Sequence, residues 1–269
     1  MSTIELQEHP DLAVSRPYTN TELLSVVAAR ELAGRRVVFA GHGLPTLAVA
    51  LAQQTVSPEV EIVYESGITG AHPQELPRAV SDSVLVSGAE CVMGMPALFN
   101  YMLQGNRIEV GFLGAAQVDR YGSLNSSIIG SDVDAPAARL PGSGGAVEVM
   151  ANCGEAFLVM RRHTARTFVE RLDYCTSPSP HRAAEHATGP MPSGRGVTRV
   201  ITDLGIMSRE PPDEELRLTS IHPGVQVEEV RRATGWDLQI AADLVTTPEP
   251  TESELAILRE LDHDRVYLR

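Results

Sequence analysis

Residues 36–54 read RVVFAGHGLPTLAVALAQQ, and this stretch decides the fold class. Val37 to Ala40 is a short run of β-branched and other apolar residues, the composition of a strand. It stops at Gly41-His42-Gly43, and Pro45 then falls in the first turn of a helix, where the missing N–H is not needed. The apolar segment LAVALAQQ that follows continues that helix. A strand, a glycine turn and a helix in this order make half of a βαβ unit, and such units build parallel sheets covered by helices.

The alternation extends outward in both directions. Upstream, Thr19, Asn20 or Thr21 caps a helix through ELLSVVAARELA, with Gly34 as its stop. Downstream, Glu61 to Tyr64 (EIVY) reads as a strand that ends directly at Glu65-Ser66-Gly67. Further strands are expected at Ile108–Leu113, Ala156–Met160, Thr167–Val169 and Val197–Asp203. Beyond Asp203-Leu204-Gly205 and an acidic stretch at 210–215, VQVEEVRRAT (225–234) reads as a helix. Thr251 and Glu254 have capping-box spacing at the start of a last amphipathic helix to Leu261. The expected fold is α/β, an open and mostly parallel sheet flanked by helices. A single domain is expected over 1–269, with the Pro-, His- and Gly-rich segment 175–196 as a surface loop within it.

Composition removes several functions. The formal charge is −13, which disfavours nucleic acid and offers no basic anchor for an anionic membrane. All 22 basic residues are arginine. Without lysine there is no Schiff base for pyridoxal phosphate or a carbonyl substrate, and no Walker-type contact to a nucleotide. Cys91, Cys153 and Cys175 are odd in number and widely spaced, as expected of reduced thiols in the cytoplasm. His163, His181 and His186 complete no zinc spacing, so no metal is expected. Residues 1–15 lack the pattern of a signal peptide, and no apolar run is long enough to span a bilayer.

Three places carry potential chemistry. Glu65 stands at a strand's carboxyl end, the edge where open α/β sheets collect ligands. Two glycine turns, Gly41-His42-Gly43 and Gly142-Ser143-Gly144-Gly145, offer backbone N–H groups unobstructed by Cβ atoms and suited to an anion or an oxyanion. Tight turns alone would account equally well for both. Neither has dinucleotide spacing, and Ser66 lacks the first glycine of a hydrolase elbow.

Taken in order, GHGLPTLAVALA (41–52), YESG (64–67), GFLGAAQVDRYGSLN (111–125), PGSGGAVEV (141–149), RTFVERLDYCTSP (166–178), TRVITDLGIM (198–207), IHPGVQVEEVRRATGWDL (221–238) and DHDRVYLR (262–269) resemble the class I coenzyme A transferases. The resemblance is closest to B subunits of the glutaconate type, with a likeness to 3-oxoacid CoA-transferases. It implies that Glu65 is the nucleophile of a ping-pong reaction through a glutamyl-CoA thioester, and that Gly142, Gly144 and Gly145 border the thioester. It also implies a separately encoded, homologous A subunit in a heterodimer or heterotetramer. Acyl-CoA and a carboxylic acid are then the substrates, and no other cofactor is required. Gln117, Asn125, Gly43 and His42 are candidates for orienting substrate, although the two amides serve equally well to close local turns. Hydrolase and decarboxylase relatives, or a non-catalytic subunit, are the competing readings.

Overall fold

The structure, a computed structural model, describes residues 16–41, 43–71, 73, 75–210 and 214–269. Residues 1–15 and His42, both read above, lie outside the described residues.

Helix α1 (Asn20–Arg30) starts at a complete capping box. The Thr19 N–H donates to Glu22 Oε2 at 2.7 Å, and the Glu22 N–H donates to Thr19 Oγ1 at 3.2 Å. The helix ends earlier than its apolar pattern suggests, and the chain turns through Leu32 to Gly34, whose φ is +75°. The decisive stretch folds as read: β1 (Val37–Phe39), a turn, then α2 (Leu44–Gln53). Strand β2 (Glu61–Val63) follows, and then β3 (Ile68–Thr69) and β4 (Cys91–Val92). Helix α3 (Met95–Ala97) runs into a π-helical segment, Leu98–Leu103.

Strand β5 (Val110–Leu113) leads to two small hairpins, β6 (Gln117–Val118) with β7 (Leu124–Asn125) and β8 (Ile128–Ile129) with β9 (Ala138–Arg139). Then come α4 (Ala146–Asn152), β10 (Glu155–Met160), α5 (Pro180–Ala184) and β11 (Val197–Thr202). The chain ends with β12 (Gly205–Ser208), β13 (Arg217–Ile221), α6 (Val227–Ala233), β14 (Gln239–Thr246) and α7 (Glu252–Leu261). No helix among the described residues is long and apolar enough to cross a membrane.

The main sheet has ten strands in the order β14-β13-β12-β11-β10-β5-β1-β2-β3-β4. Its centre, β11-β10-β5-β1-β2, is parallel throughout, so these five carboxyl ends share one edge. Antiparallel strands extend both sides, and β14 returns parallel to β13.

Strand periodicity divides the core into two layers. Val38, Ile62 and Tyr64 face one cluster, with Leu23 and Val26 of α1, Leu47 and Leu51 of α2 and Leu258 of α7. Phe39 and Val63 face the other, with Val149 of α4, Phe168 and Trp236. Each fully buried aliphatic side chain of this kind contributes roughly 2 kcal/mol. Alternation along β2 therefore carries Glu65 toward the second layer, on the same side as Val63.

Three expectations are corrected. Thr167–Val169 forms no strand, because the Thr167 and Phe168 N–H groups bond back to the Thr164 carbonyl. Only Phe168 makes a single bridge, to Val118. The segment 175–196 is more than a loop: it holds α5, and Ser177 and Ser179 within it are fully buried. The region after Asp203 contributes three sheet strands that sequence reading did not mark, on either side of the helix read at 225–234, which forms as α6.

Candidate active site at the carboxyl edge

Glu65 occupies a tight hairpin between β2 and β3. The Gly67 N–H donates to the Tyr64 carbonyl at 2.9 Å, and the Tyr64 N–H donates to the Ile68 carbonyl at 2.9 Å. Gly67 has a φ of +92°, the left-handed residue that closes a three-residue hairpin with a bulge. A Cβ at Gly67 would also collide with the Met93 carbonyl oxygen, whose own N–H donates to the Gly67 carbonyl at 2.9 Å. Glycine is thus required twice at this position, by conformation and by close approach, and the pair of constraints sets where the half-buried Glu65 side chain begins.

The second component comes from a distant part of the chain. Gly142, with a φ of +101°, donates its N–H to the Ser126 carbonyl at 2.8 Å, which ties the glycine turn to the segment between β7 and β8. Gly145 then precedes α4 directly. Helix α4 lies flush on β5 because Gly111 leaves room for the Val149 side chain, which a Cβ there would strike. This packing sets the turn over the edge where Glu65 stands. A Cβ on Gly144 would be 3.6 Å from Glu65 Oε1, and one on Gly145 would be 3.0 Å from it. The nearest carboxylate oxygen therefore rests against main chain that carries no side chains.

The other candidates are placed differently. Gly43, with a φ of +100°, directly precedes α2, and among the described residues beyond its chain neighbours a Cβ there would meet only Pro45 Cδ, at 4.0 Å. Burial raises the Tyr267 phenol, and its hydroxyl lies at the Gly43 amide and donates to the Pro77 carbonyl. Asn125 is fully buried. Its Nδ2 donates to Gln117 Oε1 at 2.8 Å and to the Ile128 carbonyl at 2.6 Å, while its Oδ1 accepts from the Ser127 N–H at 3.0 Å. Gln117 Oε1 also accepts from the Asp173 N–H at 3.0 Å. These bonds close the β6–β7 hairpin and the turn after it.

Phe99, which sequence reading passed over, belongs to the site. Its Cζ would be 3.0 Å from a Cβ on Gly145, so its ring helps wall the glycine turn. It sits in the π-helical segment, a geometry frequent at functional sites; the apolar run MPALFNYML was its only trace in the sequence. Around it, Val92, Met95, Tyr101 and Val147 are exposed, Tyr101 to 72%.

Comparison with known proteins identifies the family. Residues 21–233 match the family described as Coenzyme A transferase. The chain is 43% identical over 245 residues to the B subunit of 3-oxoadipate CoA-transferase from Pseudomonas knackmussii, covering 91% of this chain and 94% of that protein. It is 30% identical to the B subunit of glutaconate CoA-transferase from Acidaminococcus fermentans, covering 94% of this chain and 96% of the relative. The crystal structure of glutaconate coenzyme A-transferase from that organism superposes with a TM-score of 0.85 at 30% identity, over 94% of this chain and 98% of that one. The cholesterol ring-cleaving hydrolase IpdB subunit of Rhodococcus jostii is more distant, 27% identical over 90% of this chain and 92% of its own length. Family match, identity and superposition agree: the chain belongs to the coenzyme A transferase family.

Proposed function

We propose that this chain is the glutamate-bearing subunit of a heteromeric CoA-transferase that moves CoA from an acyl-CoA to a carboxylic acid by way of a thioester on Glu65. The observation that carries the reading is the seat of Glu65 Oε1 against Gly144 and Gly145. A carboxylate is a weak nucleophile, so its rate depends on held contact and on stabilising the oxyanion that develops beside it. Side-chain-free backbone lets the thioester carbonyl approach both.

In the reaction, a Glu65 oxygen attacks the thioester carbonyl, the C–S bond breaks and CoA leaves as thiolate, giving a mixed anhydride. The thiolate then attacks the Glu65 carbonyl and the acyl group departs as its carboxylate. The acceptor acid reverses these steps and carries CoA away. No proton or electron is consumed overall.

The exposed Val92, Met95, Tyr101 and Val147 beside the site fit a second subunit closing over it, in keeping with the relatives being named as subunits of larger enzymes. We place the complex in the cytoplasm. The acids named for two relatives, 3-oxoadipate and glutaconate, are the first acceptors to test.

The experiment uses the complex with its co-expressed partner, an acyl-CoA donor and hydroxylamine or borohydride. A mass tag on Glu65 and loss of at least about 10³-fold in turnover for Glu65→Gln or Glu65→Ala are expected. Full turnover in either variant refutes the reading. The hydrolase reading, raised by the relative from Rhodococcus jostii, requires CoA release at equal rate without an acid acceptor.

A further inference from the structure

Ser66 follows the proposed nucleophile in the same hairpin, and its hydroxyl has an unusual position. Ser66 Oγ is closed off from solvent and has no hydrogen-bond partner. Serines in turns ordinarily bond to nearby backbone and so stabilise the turn. Here the turn is closed by main-chain bonds from Gly67 and Tyr64 and by the left-handed Gly67, so the fold does not use the hydroxyl. A shielded hydroxyl without a partner weakens the folded chain, and such a group in a native structure calls for a reason outside the chain's own packing. The other shielded polar side-chain atoms without partners among the described residues, Ser126 Oγ, Ser177 Oγ and Trp236 Nε1, lie on other segments.

We propose that Ser66 is a further catalytic residue, donating a hydrogen bond to the Glu65 acyl oxygen as that oxygen becomes negative; this rests on Glu65 being the nucleophile. When the thiolate attacks the glutamyl carbonyl, a C–S bond forms and the carbonyl π pair moves onto the Glu65 oxygen. Collapse of that oxyanion restores the carbonyl and expels the carboxylate. The Ser66 proton stays on Ser66 throughout. Neighbouring Cα atoms lie about 3.8 Å apart across a trans peptide, so the donor stands on the residue adjoining Glu65, within the same tight turn. Because the bond is absent in the free chain and forms only in the reacting complex, it lowers the barrier instead of deepening substrate binding.

Ser66→Ala and Ser66→Thr in the two-chain complex test this. Ser66→Ala should lower kcat by roughly 10²-fold with KM for acyl-CoA changed by no more than about twofold. Its thermal midpoint should equal or exceed that of the parent, since the unpaired hydroxyl is gone, and Ser66→Thr should restore most of the rate. Undiminished kcat in Ser66→Ala, with Glu65 still tagged, overturns the assignment. So does weaker subunit assembly at unchanged saturating kcat, which would make the hydroxyl an interface contact. Failure to tag Glu65 in the parent complex would instead remove the nucleophile reading itself.

Discussion

Glu65 Oε1 and Gly145 are in such close apposition that a single added carbon on Gly145 would stand 3.0 Å from the oxygen. The two residues are 80 positions apart in the chain, and the packing of α4 on β5 brings them together. Gly145 has a φ of −80°, a value any residue adopts, so its importance lies in space and not in backbone conformation.

Gly145→Ala should therefore fold. The expected stability change is within about 1 kcal/mol, while turnover in the two-chain complex falls by at least about tenfold as the new methyl displaces Glu65 or Phe99. Gly144, with a φ of +47°, should instead lose stability as well as rate on the same change. Steady-state kinetics beside urea unfolding separates the two. Equal rates for Gly145→Ala and the parent would show that the contact has no catalytic consequence.

Gly67→Ala should be the more damaging substitution. It combines a left-handed backbone with a collision against the Met93 carbonyl, and losses of about 3 kcal/mol or more are the expected scale. Soluble expression and the unfolding midpoint measure it. Near-parental stability would contradict the close approach of the two segments.

Helices α1 and α7 are tied by reciprocal ion pairs. Arg30, in the last turn of α1, donates to Glu254 at 2.7 and 2.8 Å, and Arg259, in the last turn of α7, donates to Glu22 at 2.7 Å. Each glutamate also completes the capping box of its own helix. Burial pushes both carboxyls upward, but bonds from arginine and from the capping backbone outweigh it, and both sit below the usual range. Glu22→Gln and Glu254→Gln should each cost about 1–3 kcal/mol, and a double-mutant cycle of Arg30 with Glu254 should show coupling above about 0.5 kcal/mol. Additive effects would make the pairs merely superficial.

Acid should destabilise the chain through two histidines. Burial pushes His163 down to about 3 and His222 down to about 4. Both are neutral in the fold, bonded to Thr202 and Thr234 in one case and to Thr247 and the Thr202 carbonyl in the other. The unfolded chain takes up these protons near pH 6.5, so their stabilising contribution is complete above that pH. It declines as the pH falls toward the folded values, by about 2 kcal/mol per histidine at pH 5. Burial also raises the carboxyl of Asp203, which accepts from the His163 N–H, and this opposes the trend at lower pH. Urea unfolding between pH 7.5 and 5 measures the slope, which His222→Asn should roughly halve. A flat profile would contradict the neutral buried state.

Local order dictated much of the fold. The β1–turn–α2 unit, the capping boxes at Thr19 and Thr251, and the arrival of β2 at Glu65 all depend on neighbours in sequence, through strand composition, Pro45 and hydroxyl-to-backbone spacing. These signals survive without knowledge of the rest of the chain. Strands β12 to β14 were hidden because their burial does not follow an apolar alternation: β12 is buried at three of its four residues, β13 buries the polar Ser220 and leaves Ile221 half-buried, and β14 is mostly exposed; Phe168 was misread because its apolar surroundings reflect burial against His163 and Trp236, stacked and tilted rings at 3.8 and 6.2 Å.

For the site, sequence alone marked Glu65 and the glycines as separate features and gave Gln117 and Asn125 a possible role that their amides, committed to each other and to nearby backbone, do not require. Tertiary structure alone decided that Gly144 and Gly145 meet the carboxylate, that Phe99 walls the turn and that the Ser66 hydroxyl is left without a partner. The reason is physical: a motif records the conformation its own residues prefer, whereas these distances follow from how closely α4 settles on β5, which is determined by Gly111 and Val149 far from Glu65 in the chain.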